Sequence, residues 1–217
     1  MKTILFLLLL TYVLEADHAR DVKTFNAAVQ DYKQGSYIKA LDGFYPLAKK
    51  GDVKAQFNVA MMYDKGTGPK ANKQKAIEWY EKAARQKHAK AAYNLGYLYH
   101  QAAATDSHAY EKARYWYEKA IEGKVKEAYT NLSALYMQGQ GIQKDEKKGF
   151  EFLKIAAKMG ESAAQVNIGK MYAWGEDIMH DKLKAYDNFN QALHAGRSEA
   201  SGYLDKLCKE SAWVCKD

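Results

Sequence analysis

The chain has 217 residues, a formal net charge of +7 at pH 7 and a hydrophobic fraction of 47%. This length and composition suffice for a continuous apolar core, and two prolines in 217 residues give no sign of a disordered linker. The two cysteines and six histidines show no CxxC or HxxxH spacing, so we predict neither a metal site nor a cofactor.

Residues 1–16 have the features of a secretory signal peptide. Lys2 precedes an apolar run over residues 4–14, and Ala16 ends the segment with a small side chain. A membrane span needs ~20 apolar residues, more than this run contains, whereas a basic start, a short apolar run and a small residue are typical of an export signal. We predict cleavage after Ala16 and export, with the periplasm favoured over secretion. An uncleaved N-terminal anchor is the alternative.

Residues 17–52 are predicted to form a helix pair. Gln34, Gly35 and Ser36 provide a tight turn between its two halves. Its second half matches, 36 residues earlier, the second half of the unit that follows, with Phe44 among the matching positions. We therefore predict a shorter version of that unit.

Residues 53–196 contain one two-part pattern four times. The second part begins at Lys75, Lys112, Lys148 and Lys184, which are 37, 36 and 36 residues apart. Its copies read KAIEWYEKAA, KARYWYEKAI, KGFEFLKIAA and KAYDNFNQAL, and the copies of the first part read AQFNVAMMY, AAYNLGYLY, AYTNLSALY and AQVNIGKMY. A fixed period of this length indicates stacked supersecondary units that bury their apolar faces against one another.

Both parts of the pattern have helical spacing. Ala55, Val59 and Met62 fall at i, i+4 and i+7, the stripe of an amphipathic helix. The joining loops carry glycines suited to helix C-caps and Asn or Asp residues suited to N-caps. These are Gly66, Gly139 and Gly175 for the C-caps and Asn72, Asp145 and Asp181 for the N-caps. The second repeat lacks the glycine, so we predict that its first helix runs on, with Asp106 or Ser107 as the next N-cap.

The pattern A-x-x-N-L-G-x-x-Y-x-x-G-x-G, followed by D-x-x-K-A-x-x-W and K-A-A, resembles the Sel1-like repeat, a relative of the tetratricopeptide repeat with a longer glycine loop. We place four such repeats at 53–88, 89–125, 126–161 and 162–196. The resemblance implies an all-α fold, a right-handed α/α superhelical solenoid whose first helices line a concave face. It also implies a role in binding other proteins, and the shorter pair at 17–52 is in the tetratricopeptide style.

Residues 197–217 are predicted to cap the solenoid with an unpaired helix and a disulfide-bonded tail. Cys208 and Cys215 form an even pair in a chain predicted to be exported, which favours a disulfide. On one straight helix their Cα atoms would lie ~10 Å apart, beyond the reach of a disulfide. We therefore predict that the helix stops near Lys209–Glu210 and that the tail folds back, with Trp213 covering the last apolar face.

The predicted concave face is a candidate protein-binding surface. Asn side chains recur one position before buried apolar residues of the first helices, and an amide offers donors and an acceptor to a peptide backbone. The alternative is that these amides hydrogen-bond the adjacent helix pair. Aromatic side chains that differ between the copies are candidates for partner-specific contacts. The candidate residues are Asn58, Asn94, Asn131, Asn167, Phe57, Tyr93, Tyr97 and Trp174.

A basic segment supplies a second candidate surface. From Lys65 to Lys90 there are eight basic residues against two acidic ones. Such a segment suits docking to an acidic protein, an anionic glycan or a lipid headgroup, and a solvated face is the alternative. The predicted basic patch consists of Lys70, Lys73, Lys75 and Arg85.

No catalytic motif is found, so we predict that the chain is not an enzyme. We predict an exported, monomeric interaction scaffold that binds a protein or peptide on its concave face, with no nucleic acid and no transmembrane segment in the mature chain. One alternative is a structural subunit of a cell-envelope or motor assembly that docks through its basic outer surface. Another is a hydrolase acting on β-lactams or peptidoglycan, which is disfavoured because this chain has one cysteine pair rather than a pair in every repeat.

Overall fold

The computed structural model describes residues 2–104, 106, 108–175 and 180–215. Ser107, one of the two predicted N-caps, and the side chains of residues 1–14, which form most of the predicted signal peptide, lie outside the described part. All regular elements of the described part are helical, and it contains no β-strand. The predicted all-α class is confirmed.

Eleven α-helices follow one another along the described residues. The first has 32 residues, and the others have between 12 and 14. Among the described residues, no helix combines the length and the apolarity that crossing a membrane requires. A 3-10 helix, Ala212–Cys215, follows the last α-helix. The α-helices are α1 (Lys2–Lys33), α2 (Tyr37–Lys50), α3 (Val53–Lys65), α4 (Lys73–Arg85), α5 (Ala89–Ala102), α6 (Ala109–Glu122), α7 (Lys126–Gln138), α8 (Glu146–Lys158), α9 (Ser162–Trp174), α10 (Lys182–His194) and α11 (Glu199–Glu210).

The helices pack in sequential order within two compact units, residues 1–95 and residues 96–217. In the first unit α1 packs on α2, α2 on α3 and α3 on α4. In the second unit each helix from α6 to α11 packs on the next. This succession confirms the predicted architecture of helix pairs, in which α3, α5, α7 and α9 are the first helices of the repeats and α4, α6, α8 and α10 are the second helices.

Small and aromatic side chains fill the helix crossings. Tyr80 and Tyr117 are fully buried, and Trp79 and Trp116 are nearly so. The small side chains let neighbouring helices approach closely, while the rings fill the wider gaps and bury large apolar areas. The alanines at these crossings have no exposed surface, and they are Ala76, Ala83, Ala113, Ala120, Ala156, Ala185 and Ala192.

Three second helices begin at the predicted N-caps. The side chains of Asn72, Asp145 and Asp181 each accept a hydrogen bond from the backbone N–H three residues later, which satisfies a donor that the helix itself leaves unpaired. The second repeat differs from the prediction, because α6 begins after His108, whose side chain makes no capping hydrogen bond. The Asp106 carboxylate accepts from the His108 N–H instead, so it shapes the turn that precedes the cap. The first helix α5 ends at Ala102 and has 14 residues, against 13 in the first helices of the other repeats, so it runs on by one residue only.

Two of the three predicted glycine C-caps are left-handed. Gly66 and Gly139 have φ values of 70° and 71°, where an L side chain would be strained. Gly175 is extended, with φ −71° and ψ 140°, so a left-handed cap was the wrong expectation there. A Cβ on Gly175 would lie 2.5 Å from the Met171 carbonyl oxygen. Close approach of backbone therefore accounts for this glycine.

The C-terminal tail folds back as predicted, with a different side chain covering the core. Helix α11 stops at Glu210, and Cys208 and Cys215 form a disulfide with their Cα atoms 5.7 Å apart. Val214 is buried against the last core cluster, whereas Trp213 is 62% exposed. The expectation that Trp213 covers the last apolar face is wrong, because the 3-10 helix directs the next side chain inward.

Candidate functional site

Two of the four repeated asparagines are hydrogen-bonded within the fold. Asn94 Nδ2 donates to the hydroxyl of Tyr80 at 3.0 Å, and Asn131 Nδ2 donates to the hydroxyl of Tyr117 at 3.2 Å. In both cases the tyrosine lies 14 residues earlier, on the second helix of the preceding pair. These bonds agree with the alternative prediction, in which the asparagine amides hydrogen-bond the adjacent helix pair. They also hold each amide in one orientation.

The other two asparagines lack such a partner. The residue at the same distance before Asn58 is Phe44, and before Asn167 it is Leu153. Neither side chain offers a hydroxyl, and within the described part of the chain neither amide makes a side-chain hydrogen bond. Asn167 is exposed and Asn58 is half-buried. The amide of Asn167 is therefore directed at solvent, where a ligand has access to it.

The predicted aromatic contacts differ in their exposure. Phe57 is half-buried and stacks on the ring of His88 at 4.6 Å between centroids, so it belongs to the packing of its own unit. Tyr93 is half-buried on α5. Tyr97, one turn further along α5, is 47% exposed. Tyr97 is thus the predicted aromatic residue that is most available to a partner.

Trp174 takes part in holding the C-terminal helix. Its ring lies 5.9 Å from Phe189 and 6.3 Å from Tyr203. Its indole Nε1 donates to a carboxylate oxygen of Glu210 at 2.7 Å, and the Lys206 ammonium lies 4.3 Å from the ring centre. Both the ring and the N–H of Trp174 are therefore engaged inside the second unit.

A polar chain extends from Asn131 through Tyr117 to His100. The hydroxyl of Tyr117 lies 3.3 Å from Nδ1 of His100. Burial lowers the pKa of His100, and burial, reinforced by Asp64, raises the pKa of Tyr80 in the matching position. Both shifts favour the neutral form. His100 and Tyr80 are thus suited to hydrogen bonding in their neutral forms rather than to acid–base chemistry near neutral pH.

Two of the four predicted basic-patch residues are ion-paired. Lys73 pairs with the Asp64 carboxylate, and the Arg85 guanidinium pairs with Glu81 at 2.6 Å. Lys75 lies 5.1 Å from the centre of a neighbouring tyrosine ring, and Lys70 is exposed. The patch is therefore less positive than its sequence indicates, because local carboxylates offset part of its charge.

Sequence reasoning did not find a cleft between α2, α3 and α4 in which lysines and aromatic rings alternate. Its lining residues come from three helices and are separated by up to about one full repeat, so no short motif marks them. The available signal is that two of the lining residue types recur in all four repeats, Tyr63 as Tyr99, Tyr136 and Tyr172, and Lys75 as Lys112, Lys148 and Lys184. The lysines and aromatic residues that line this cleft are Tyr45, Lys49, Tyr63, Lys75, Trp79 and Lys82. We refer to it as the lysine–aromatic cleft.

Metal ligation finds no support in the side chains that the structure describes. Among them, no group of three or more His, Cys, Asp or Glu side chains has the arrangement that could hold a metal ion.

Comparison with protein families identifies the repeats. The family model described as Sel1 repeat matches residues 53–88, 89–124, 126–161 and 162–196. The matched segments cover about two thirds of the chain and confirm the prediction that it contains four Sel1-like repeats.

Solved structures with the same fold support this result. A Sel1 repeat protein from Oxalobacter formigenes is 27% identical with a TM-score of 0.71, and the match covers 83% of this chain and 86% of that one. A protective antigen present in uropathogenic Escherichia coli strains, displaying an SLR fold, is 29% identical with a TM-score of 0.74, and the match covers 92% of this chain and 45% of the antigen. An immunity protein from Pseudomonas aeruginosa is 20% identical over 80% of this chain and 68% of its own, with a TM-score of 0.54, and shares the fold. No curated protein matches the chain.

Proposed function

Because this chain belongs to the Sel1 repeat family, whose members are generally scaffolds for protein interactions and typically non-catalytic, we propose that it binds an extended segment of a partner protein along the first helices of its repeats. The proposal extends to the cell compartment: the chain is exported, to the periplasm in the first instance, under the direction of residues 1–16. The basic start and short apolar run of that segment support export.

The observation that carries the binding proposal is the surface of the first helices in the second unit. Tyr97 is 47% exposed there, and exposed aromatic side chains supply much of the binding energy at protein interfaces. Asn131 is held by its bond to Tyr117, and its carbonyl oxygen has no hydrogen-bond partner among the described residues. A pre-oriented amide acceptor of this kind suits a peptide N–H, because its ordering cost is already met in the fold.

Site-specific photo-cross-linking tests the proposal. A photoreactive phenylalanine at position 97 is compared with the same residue at position 115, because Tyr97 and Tyr115 are 47% and 49% exposed on the first and the second helix of one repeat. We expect the residue at position 97 to form a discrete adduct with one partner protein in the native cell extract, and the residue at position 115 to form none. Adducts at 115 and not at 97 would show that the first helices are not the binding surface.

A further inference from the structure

The lysine–aromatic cleft of the first unit is a concave feature of about 410 Å³. Helix α2 contributes Tyr45 and Lys49, and helix α3 contributes Tyr63. Helix α4 contributes Lys75, Trp79 and Lys82. The cleft is therefore built by three consecutive packed helices, and its walls are positioned by the folding of the unit rather than by a loop.

Each of the three lysine ammonium groups of the cleft lies over a different aromatic ring. A cation above a ring face is attracted by the ring quadrupole and keeps its full charge. These contacts therefore restrain the lysines around the cleft without neutralising them. The distances from Nζ to the ring centre are 4.8 Å for Lys49 and Tyr45, 5.1 Å for Lys75 and Tyr63, and 4.0 Å for Lys82 and Trp79.

The cleft lysines lack a carboxylate partner among the described residues, whereas three basic residues close to them in the sequence have one. Within the described part of the chain, none of the three forms an ion pair. Three basic residues beside them in the sequence do: Lys50 pairs with Asp21, Lys73 with Asp64, and Arg85 with Glu81. Glu78 also lines the cleft and makes no ion pair with these lysines. Three positive charges thus surround one negative charge.

A cleft at the same repeat position in the second unit has a different electrostatic character. It has a volume of about 220 Å³, and Lys154, Lys158 and Lys184 line it together with Tyr172. There Lys154 pairs with Glu151 at 2.6 Å and Lys184 pairs with Asp181 at 2.8 Å. Two of these three lysines are thus offset by carboxylates, whereas, among the described residues, none of the three lysines of the lysine–aromatic cleft is.

We propose that the lysine–aromatic cleft is a binding site for an acidic peptide segment of a partner protein. Glutamate or aspartate side chains reach into a concave site and meet separate ammonium groups, while apolar side chains of the same segment contact the exposed edges of the half-buried Tyr45 and Tyr63 rings. A lipid bilayer is flat and does not enter a concave cleft. A glycan needs an open ring face on which to stack, and Trp79 is 8% exposed with Lys82 above it.

The test uses fluorescence anisotropy of a short fluorescein-labelled peptide of alternating glutamate and leucine, with a glutamine–leucine peptide as the uncharged counterpart. The triple variant Lys49→Gln/Lys75→Gln/Lys82→Gln is expected to weaken binding of the glutamate peptide by about tenfold or more. The matched control Lys50→Gln/Lys73→Gln/Arg85→Gln removes the same formal charge from ion-paired positions and is expected to weaken binding by less than about threefold. Far-UV circular dichroism checks that both variants remain folded.

A second variant tests the site through a gain of affinity. Glu78→Gln removes the carboxylate that lines the cleft, so the glutamate peptide is expected to bind about two- to threefold more tightly. This gain does not arise from a loss of folding. The proposal is overturned if the wild-type chain does not bind the glutamate peptide, or if both triple variants lose affinity equally. It is also overturned if heparin or phosphatidylglycerol vesicles bind through the cleft lysines while the peptide does not compete.

Discussion

The amide of Asn94 donates its hydrogen bond to the hydroxyl of Tyr80, 3.0 Å away on the preceding helix. Tyr80 is fully buried, and this amide is its one hydrogen-bond partner among the described residues. The bond recurs 37 residues later, where Asn131 donates to Tyr117. There the hydroxyl also lies 3.3 Å from His100. The hydrogen bond of the asparagine at this repeat position should therefore contribute differently to stability in the two copies.

Alanine substitution of the repeated asparagines should give graded losses of stability. Asn94→Ala leaves the buried Tyr80 hydroxyl without a partner and should cost about 1–3 kcal/mol. Asn131→Ala should cost less, about 1 kcal/mol, because His100 remains beside the Tyr117 hydroxyl. Asn167→Ala should change stability by less than about 0.5 kcal/mol, because the amide is exposed. Urea unfolding followed by circular dichroism measures each value.

A double-mutant cycle isolates the Asn94–Tyr80 bond from effects of helix propensity. Adding Tyr80→Phe to Asn94→Ala removes the orphaned hydroxyl and should recover part of the lost stability. Equal losses for Asn94→Ala and Asn167→Ala would show that the hydrogen bond contributes nothing beyond the change of helix propensity.

Local sequence rules predict the parts of this fold that local chemistry decides. Asn72 and Asp145 are recognised as N-caps because a short polar side chain and the start of apolar periodicity stand at a fixed offset. The register of the repeats is equally visible, since the crossing alanines recur with the period of the chain. These features need no knowledge of distant contacts.

The features that sequence reasoning missed depend on contacts between distant segments. The burial of Val214 in place of Trp213 depends on how the tail meets the last core cluster, which the spacing of the two cysteines does not specify. The lysine–aromatic cleft joins Tyr45 and Lys82 across three helices. Ion pairs such as Lys73 with Asp64 offset part of the positive charge of the basic segment. A count of charged residues does not show which of them are paired.

The loop glycine Gly141 should tolerate alanine poorly. Its φ of 66° lies in the left-handed region, and a Cβ there would lie 2.6 Å from the backbone carbon of Tyr110. Strain and steric conflict together should cost about 2–4 kcal/mol. Gly202 is the matched control, since it lies within α11 and a Cβ added there would meet no atom within 4 Å. Gly202→Ala should stabilise by about 0.5–1 kcal/mol, and thermal unfolding of both variants tests the contrast.

The disulfide should stabilise the C-terminal end of the second unit. Replacing Cys208 and Cys215 by serine should cost about 2–3 kcal/mol in the chain-entropy account. Because the bridge joins α11 to the tail, amide hydrogen exchange should accelerate in α11 while α7 keeps its protection. Intact mass under non-reducing conditions should be lower than the reduced mass by two hydrogens. Equal masses, or uniform acceleration of exchange in both helices, would contradict this role.

Export should be visible in the mass of the mature chain. If residues 1–16 are removed after Ala16, protein isolated from its native cells should begin at Asp17 by intact mass and N-terminal sequencing. Substitution of a leucine in the apolar run by arginine should retain the chain in the cytoplasm, and a lysine-to-arginine change at Lys2 is the matched control because it preserves the basic start. Retention of Met1 in the native protein would contradict cleavage.

The histidine that precedes α5 should make the first unit sensitive to acid. His88 Nδ1 accepts a hydrogen bond from the backbone N–H of Ala91 at 3.1 Å, which requires the nitrogen to be unprotonated. Burial lowers the pKa of His88 below its usual 6.5, and the nearby positive charges of Lys90 and Lys54 act in the same direction. The unfolded chain therefore binds a proton at a higher pH than the folded chain does. The contribution of His88 to stability is present above pH 6.5 and is lost as the pH falls toward the lower pKa of the folded state.

The variant His88→Asn separates this effect from other titrations. Asparagine also caps a helix with a side-chain acceptor but does not titrate in this range. The free energy of unfolding of the variant should therefore fall less steeply than that of the wild type as the pH decreases below 6.5. Some acid sensitivity should remain, because burial lowers the pKa of His100 as well. Urea unfolding at a series of pH values gives the two slopes. Identical slopes would mean that protonation of His88 is not linked to folding.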